Sequence, residues 1–192
     1  MKHLIVYAHP NPASFCAAVR DTLVSSLREK GDSVEVRDLY ESRYNPVLSA
    51  ADLVGVQSGT PSVDVVTEQE AIRKADVIHL VFPTWWVGLP AILKGWVDRT
   101  FTYGFAFTVT DKGLKGLLEG KKVQLWQTVG HPEGAYAANG KTEAMLRTID
   151  SGIFEFSGIQ VAGHRFFWAV PYVDDATRAG YLARIPEWVQ GE

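Results

Sequence analysis

Hydrophobic residues along this chain fall into two alternating kinds of run. The first is continuous: Leu4, Ile5, Val6, Tyr7 and Ala8 stand together and stop at His9-Pro10. A strand that is apolar at every position is covered on both faces, as the strands of a parallel sheet are. The second is periodic: Phe15, Ala18, Val19, Thr22, Leu23 and Leu27 recur at three- and four-residue steps, the repeat of a helix with one buried face. Ser14 stands where an N-cap hydroxyl belongs, and Gly31 where such a helix stops. Val34, Val36 and Leu39 predict a second strand. Residues 40–62 are polar and irregular, with a short helical turn over 49–53. A helix over 65–74, a strand over 77–82 and a helix over 91–101 follow, with Pro90 at a natural first-turn position. The pattern closes with a strand over 121–128, a helix over 142–156, a strand over 160–170 and a helix over 175–189. In the helix over 142–156, Met145, Leu146, Ile149 and Ile153 share a face.

Five strands alternating with five helices predict an α/β, doubly wound parallel sheet. Right-handed crossovers and chain length favour the flavodoxin-like five-stranded order 2-1-3-4-5 over a six-strand dinucleotide fold. The 192 residues suit one domain over 1–192. Hydrophobic residues make up 46% and charged residues 21%, which excludes wholesale disorder. Lysine and arginine number 19 against 22 acids, for a net charge of −3, so nothing argues for a nucleic-acid partner. Cys16 is the one cysteine; no intrachain disulfide can form, and a reducing cytoplasmic setting is expected. The apolar stretch 77–93 is interrupted by His79, Pro83 and Pro90 and is too short to span a bilayer. The five histidines lack ligand spacing, so no metal site is expected.

In such a sheet ligands bind beyond the carboxyl ends of the strands, at the switch point between strands one and three. That rule selects three loops. The loop His9-Pro10-Asn11-Pro12-Ala13-Ser14-Phe15 opens a helix, whose free N–H groups and dipole form an anion site. His9 and the Ser14 hydroxyl add donors there; equally, Ser14 caps and His9 closes a turn, and the residues leave both readings open. The second loop presents Trp85 and Trp86 between Pro83 and Gly88, flat aromatic surface suited to a planar heterocycle. Adjacent side chains on an extended segment point opposite ways, so the two indoles cannot share one core. The third loop carries Gly130, where backbone can approach a ligand, and Tyr136, whose phenol can donate to developing negative charge. No G-x-G-x-x-G, P-loop or G-x-S-x-G motif is present in the chain. Cys16, one turn into the first helix, could be a stabilised thiolate; packing is the simpler reading.

At these loops the chain resembles the NAD(P)H:quinone oxidoreductase (DT-diaphorase) family, including its bacterial quinone reductases and potassium-efflux ancillary proteins. The matching text begins at 4–12 with Ser14-Phe15 and continues through Asp38-Leu39-Tyr40, Asn45-Pro46-Val47-Leu48-Ser49 and Glu68-Gln69. The longest match is Phe82-Pro83-x-x-Trp86-x-Gly88-x-Pro90, running on through Ala91-Ile92-Leu93-Lys94-Gly95-Trp96-Val97-Asp98-Arg99. Gly104-Phe105-Ala106, Asp111-Lys112-Gly113 and Thr128-x-Gly130 complete it.

The resemblance implies a flavin, FAD or FMN with FAD slightly favoured, in a cytoplasmic homodimer with active sites at the subunit interface. It places His9, Ser14 and Phe15 at the flavin phosphate, with Cys16 where the family often has asparagine. Pro83, Thr84, Trp85, Trp86 and Val87 would hold the isoalloxazine ring, and Thr128, Gly130 and Tyr136 its pyrimidine side. Phe107 and Val109, where mammalian enzymes carry tyrosines, would line the partner subunit's pocket. The implied reaction is a two-electron, ping-pong hydride transfer from NAD(P)H through the flavin to a quinone, with Gly130 and Tyr136 stabilising charge on the reduced ring. A histidine found six residues after the loop tyrosine in some members is here Thr142, and His131 is the local candidate for its role. The alternative implied by the same family is a regulatory flavoprotein subunit of a potassium or cation-efflux system, with a membrane-transporter partner.

Overall fold

The structure, a computed structural model, describes residues 1–190. Strands β1 (Lys2–Tyr7), β2 (Ser33–Asp38), β3 (Val77–Pro83), β6 (Lys122–Thr128) and β7 (Gln160–Phe167) form one sheet in the order β2-β1-β3-β6-β7. All four pairings are parallel. This is the expected order, 2-1-3-4-5 of the core strands. β4 (Phe107–Thr110) and β5 (Gly113–Gly116) make a separate antiparallel hairpin.

Alternation along the strands divides the core between the two faces of the sheet. Leu4, Val6 and Ala8 point to one side, with Ile78, Leu80, Phe82 and Trp96. Ile5 and Tyr7 point to the other, with Val19, Leu23, Val81, Trp126 and Phe167. Every residue of β3 is buried, which explains why its sequence is apolar without a break. The helices are α1 (Phe15–Glu29), α2 (Ala50–Gln57), α3 (Val63–Lys74), α4 (Ala91–Thr100), α5 (Glu133–Ala137), α6 (Lys141–Met145), α7 (Asp175–Ala183) and α8 (Ile185–Gln190). A π-helical segment, Leu146–Glu155, follows α6.

Four differences from the expected elements have local causes. The helix expected over 142–156 widens after Met145; Gly152 lies in the wide stretch, where a missing side chain lowers the cost of irregular backbone. The final helix breaks at Arg184 because Pro186, in the first turn of α8, has no N–H to offer Leu182. β7 ends at Phe167 rather than 170, since Ala169 turns left-handed at φ 53°. The short turn near Ser49 extends to Gln57, started by a capping box in which Ser49 and Asp52 bond reciprocally. Neither the β4–β5 hairpin nor α5 was expected; Gly113, at φ 105°, makes the hairpin turn.

Two buried polar clusters fasten this framework. Arg99 on α4 donates to both oxygens of Asp52, at 3.2 and 3.0 Å, to Asp64 at 2.5 Å and to the Asn45 carbonyl at 2.9 Å. It thereby ties 45–64 to α4. Gly95 lets the same segment lie close, since a Cβ there would fall 2.1 Å from the Pro46 carbonyl oxygen. Hydrogen bonds from Arg99, against the cost of burial, hold the Asp52 carboxyl well below the usual range. On β3, His79 is fully buried. Its Nδ1 accepts from the Trp126 indole at 3.2 Å and its Nε2 meets His3 Nδ1 at 2.9 Å. Indole only donates, so His79 is neutral, and burial pulls its pKa down to about 3.

Asp52→Asn is expected to cost about 3 kcal/mol, because it strands much of a buried guanidinium; urea unfolding at neutral pH reads this directly. The unfolded chain takes a proton on His79 near its ordinary 6.5, and the folded chain only near 3. Between these values stability therefore falls with falling pH, by about 1.4 kcal/mol per unit for this group. His79→Gln should flatten that slope in unfolding curves collected between pH 6.5 and 4.

Candidate active site

β1, β3 and β6 run parallel and in register, so the chain leaves all three at one edge. The loops there are stitched to one another by continued strand pairing. Ala8 N–H donates to the Val81 carbonyl at 3.0 Å, Thr84 N–H to Thr128 at 2.7 Å, and Val129 N–H to Phe167 at 2.8 Å. His9 and Trp85 bring their rings to 6.2 Å, linking the first loop to the second.

In the first loop, Asn11 N–H donates to His9 Nδ1 at 3.0 Å. That occupies one ring nitrogen as an acceptor and leaves Nε2–H as the outward donor of a neutral imidazole. Partial burial lowers the His9 pKa in the same sense. Ser14 caps α1, its Oγ accepting from Ala17 N–H at 3.2 Å, and it meets the Tyr7 hydroxyl at 3.2 Å. With Tyr7 donating, the Ser14 proton remains free for a ligand, so capping and ligand binding are compatible. The Phe15 ring turns away to pack edge-on against Phe167 at 5.8 Å and Tyr181 at 6.3 Å. Cys16 is buried, with Sγ 3.2 Å from Thr128 Oγ1. Burial pushes its thiol up to about 12, so no thiolate forms near neutrality and the residue packs.

The second loop is the most unusual backbone in the chain. Trp86 and Val87 lie at φ 52° and 61°, left-handed values that cost a side-chain-bearing residue about 1–2 kcal/mol each. Trp85 and Gly88 bond reciprocally across this turn at 3.2 and 3.1 Å. The turn holds Trp86 completely exposed, at 101% of its reference area, and Trp85 at 40%. Neither indole serves a core. Pro83 is buried beneath them, and Thr84 and Val87 are half-buried.

In the third loop Gly130 faces open space. Tyr136 is buried, edge-on to Trp168 at 5.7 Å and tilted to His131 at 6.3 Å, with the Lys141 ammonium 5.4 Å over its ring. Thr142 Oγ1 is buried without a hydrogen-bond partner. Phe107 has Tyr103 and Phe156 as its ring neighbours, and Val109 is exposed. Both sit on the hairpin rather than in the three loops.

One connection escaped the sequence reading. Gln127, fully buried on β6, donates from Nε2 to Thr84 Oγ1 at 2.7 Å. Its Oε1 lies 2.7 Å from His164 Nε2 on β7, and His164 Nδ1 lies 2.8 Å from Asp150. The signal was a glutamine inside an apolar strand; its partners, distant in sequence, gave none.

The residues at this edge suit a planar heterocycle carrying a phosphate. Among the described residues, the N–H groups of Phe15, Cys16, Trp86, Val87 and Gly130 have no backbone partner. The first two stand at a helix N-terminus, the setting for a phosphate. The other three stand beside an exposed indole, the setting for the edge of a flat ring. No group of acids, histidines and cysteines among the described residues could hold a metal.

A five-stranded 2-1-3-4-5 sheet with a polar, aromatic crevice at its switch point defines a flavodoxin-like protein, and a flavodoxin-like fold family model matches residues 1–189. A Haemophilus influenzae protein described as an uncharacterized NAD(P)H oxidoreductase is 36% identical over 95% of this chain and 91% of its own length. NAD(P)H dehydrogenase [quinone] 1 of Cavia porcellus is 34% identical over 94% of this chain and 73% of its own. Among solved structures, the NAD(P)H:quinone oxidoreductase from Methanothermobacter marburgensis superposes with a TM-score of 0.86. It is 30% identical, covering 97% of this chain and 96% of that one. The chain belongs to the NAD(P)H:quinone oxidoreductase family within the flavodoxin-like fold.

With its thiol pushed up to about 12, Cys16 is expected to resist iodoacetamide at pH 8 while the protein is folded. It should label fully once denaturant is added; mass spectrometry of the two samples checks both.

Proposed function

We propose that this chain is a flavin-dependent NAD(P)H:quinone oxidoreductase, acting as a homodimer on NAD(P)H and quinone-type acceptors. The observation that carries the reading is the second loop. A strained turn presents two indoles and two unpaired amides beside the end of a helix, an arrangement with no packing purpose. The named relatives support the choice of substrates.

When bound, FAD or FMN would supply reversible hydride acceptance between NAD(P)H and a quinone, the second proton of the hydroquinone coming from solvent. The chain's own residues hold and exclude. The α1 N-terminus, His9 Nε2–H and the Ser14 hydroxyl bind the phosphate end. Trp85 and Trp86 cover the ring and displace water from it, while the Trp86 and Val87 amides fix its edge. Gly130 N–H and the Tyr136 hydroxyl stabilise negative charge where it develops on reduction. One crevice would serve NAD(P)H and the quinone in turn, which would give ping-pong kinetics.

A second copy of the chain fits the face around Phe107. Two adjoining hollows of about 540 and 410 Å³ share Asp98, Phe101 and Phe107 there. Leu48, Leu53, Tyr103 and Phe156, which line them, are exposed. Exposed apolar side chains gathered on one face suit contact with a second copy.

Purified protein is expected to be yellow, or to become so with FMN or FAD. It should bleach with NAD(P)H, recover its colour with quinones and elute as a dimer in light scattering. Tyr136→Phe should slow bleaching by about tenfold or more, the cost of about 1.4 kcal/mol of lost stabilisation. A Tyr136→Phe protein that bleaches at the parental rate removes that role, and a chain that binds neither flavin removes the function.

A further inference from the structure

The buried connection behind Thr84 has a direction that can be read from chemistry. Gln127 Nε2 lies 2.7 Å from Thr84 Oγ1 and 3.2 Å from the Met145 thioether. A thioether accepts and never donates, so the amide NH₂ faces these two acceptors and the carbonyl faces His164. The carbonyl in turn needs a donor, so His164 Nε2 carries a proton. Asp150 Oδ1, 2.8 Å from Nδ1, is an acceptor as a carboxylate, so Nδ1 carries one too. Imidazole holds a proton more tightly than a carboxylate does, and the shared proton belongs to the ring.

With these partners His164 donates from both ring nitrogens. Its side chain is 3% exposed and that of Asp150 13%. The ring stacks on Phe166 at 4.2 Å and 14°, a face-on contact that favours a cation. Asp150 is the charged group facing it. The neighbouring Arg165 points to the other side of the sheet, over the Trp188 ring at 5.4 Å.

We propose that Asp150, His164 and Gln127 are positioning residues that hold Thr84 as a hydrogen-bond donor to the ring of the bound flavin. The chain of donors runs His164 Nε2–H to Gln127 Oε1, then Gln127 Nε2–H to Thr84 Oγ1. The Thr84 oxygen accepts from behind, and its own proton, with no acceptor among the described residues, is left for the half-buried loop side. If His164 were neutral with Nε2 bare, the Gln127 amide would turn over. Thr84 would then spend its proton on Gln127 and present only lone pairs to the crevice. The Asp150–His164 pair thus sets whether the site offers a donor or an acceptor at this point.

The inference rests on the flavin reading of the site, and its test separates the two. Ring-nitrogen NMR on histidine-labelled protein, with His164→Gln to assign the signal, is expected to show both nitrogens of His164 protonated at neutral pH. Asp150→Asn should leave one of them bare, and Asp150→Glu should restore the parental pattern. Redox titration of the flavin-loaded protein is expected to give a lower midpoint potential in Thr84→Val and in Asp150→Asn, because a donor to the more negative reduced ring has been lost. Thr84→Ser should keep the parental value. Hydride transfer from NAD(P)H should slow by about tenfold in Thr84→Val and less in Asp150→Asn.

A bare nitrogen on His164 in the parental protein overturns the assignment. So does an unchanged potential in both Thr84→Val and Asp150→Asn, and either result leaves flavin binding standing. A colourless protein that takes up neither flavin overturns the reading of the site itself and this assignment with it.

Discussion

Parallel pairing of β1, β3 and β6 is the constraint on which the remainder depends. Parallel strands in register must all release the chain at one edge, and a strand buried on both faces, as β3 is throughout, leaves its loops nowhere else to go. Three loops are therefore brought together by the sheet itself. Where the ladder continues past the strands, through Thr84 N–H to Thr128 and Val129 N–H to Phe167, the loops inherit the rigidity of the sheet. The strained turn at Trp86 and Val87 is affordable only on such a base, since left-handed backbone at two successive side-chain-bearing positions relaxes wherever the surroundings allow.

Much of this is legible in the sequence. Continuous apolarity at 4–8 and 77–82 identified doubly covered strands, and α1 was written out by Ser14, its helical repeat and Gly31. Strand order followed from crossover handedness. The three loops were picked by a geometric rule alone, and the first two are joined in the structure by the His9–Trp85 contact. The irregular parts were not legible. The widened turn after Met145 depends on backbone hydrogen-bond choices, i→i+5 in place of i→i+4, that apolar spacing over so short a stretch does not encode. Likewise the hairpin at 107–116 has four-residue arms, too short for an alternation to declare itself. The break at Arg184 was signalled by Pro186 and could have been read.

Side-chain roles were legible unevenly, for a physical reason. A cap, a turn or an aromatic loop is local, and its chemistry lies within a few residues. A tertiary polar chain is not. Asp150, His164, Gln127 and Thr84 sit on four different elements, and nothing in their spacing joins them. The Arg99 cluster behaves the same way, drawing its acceptors from 45–64 across the space between segments. Cys16 illustrates the converse. Its place near a helix N-terminus left a reactive thiol open beside the simpler packing role, and depth decides for packing, because burial outweighs the helix end.

The departure at Thr142 bears on how charge is managed at this edge. A histidine there would face developing negative charge directly, whereas Thr142 offers a hydroxyl that finds no partner in the described structure. Behind the crevice His164 stands against Asp150, so a proton held on the ring is matched by the carboxylate and the pair adds no net charge. What it contributes is orientation: two ordered dipoles, Gln127 and Thr84, in a dry interior where hydrogen bonds polarise one another. Dipoles fixed in advance need not reorganise when charge appears, and that saving is the larger part of what an enzyme site offers a reacting ring. A neutral pair also limits the desolvation cost that a lone buried imidazolium would carry. On this view the site trades a single facing charge for a short, pre-aligned line of donors ending at Thr84.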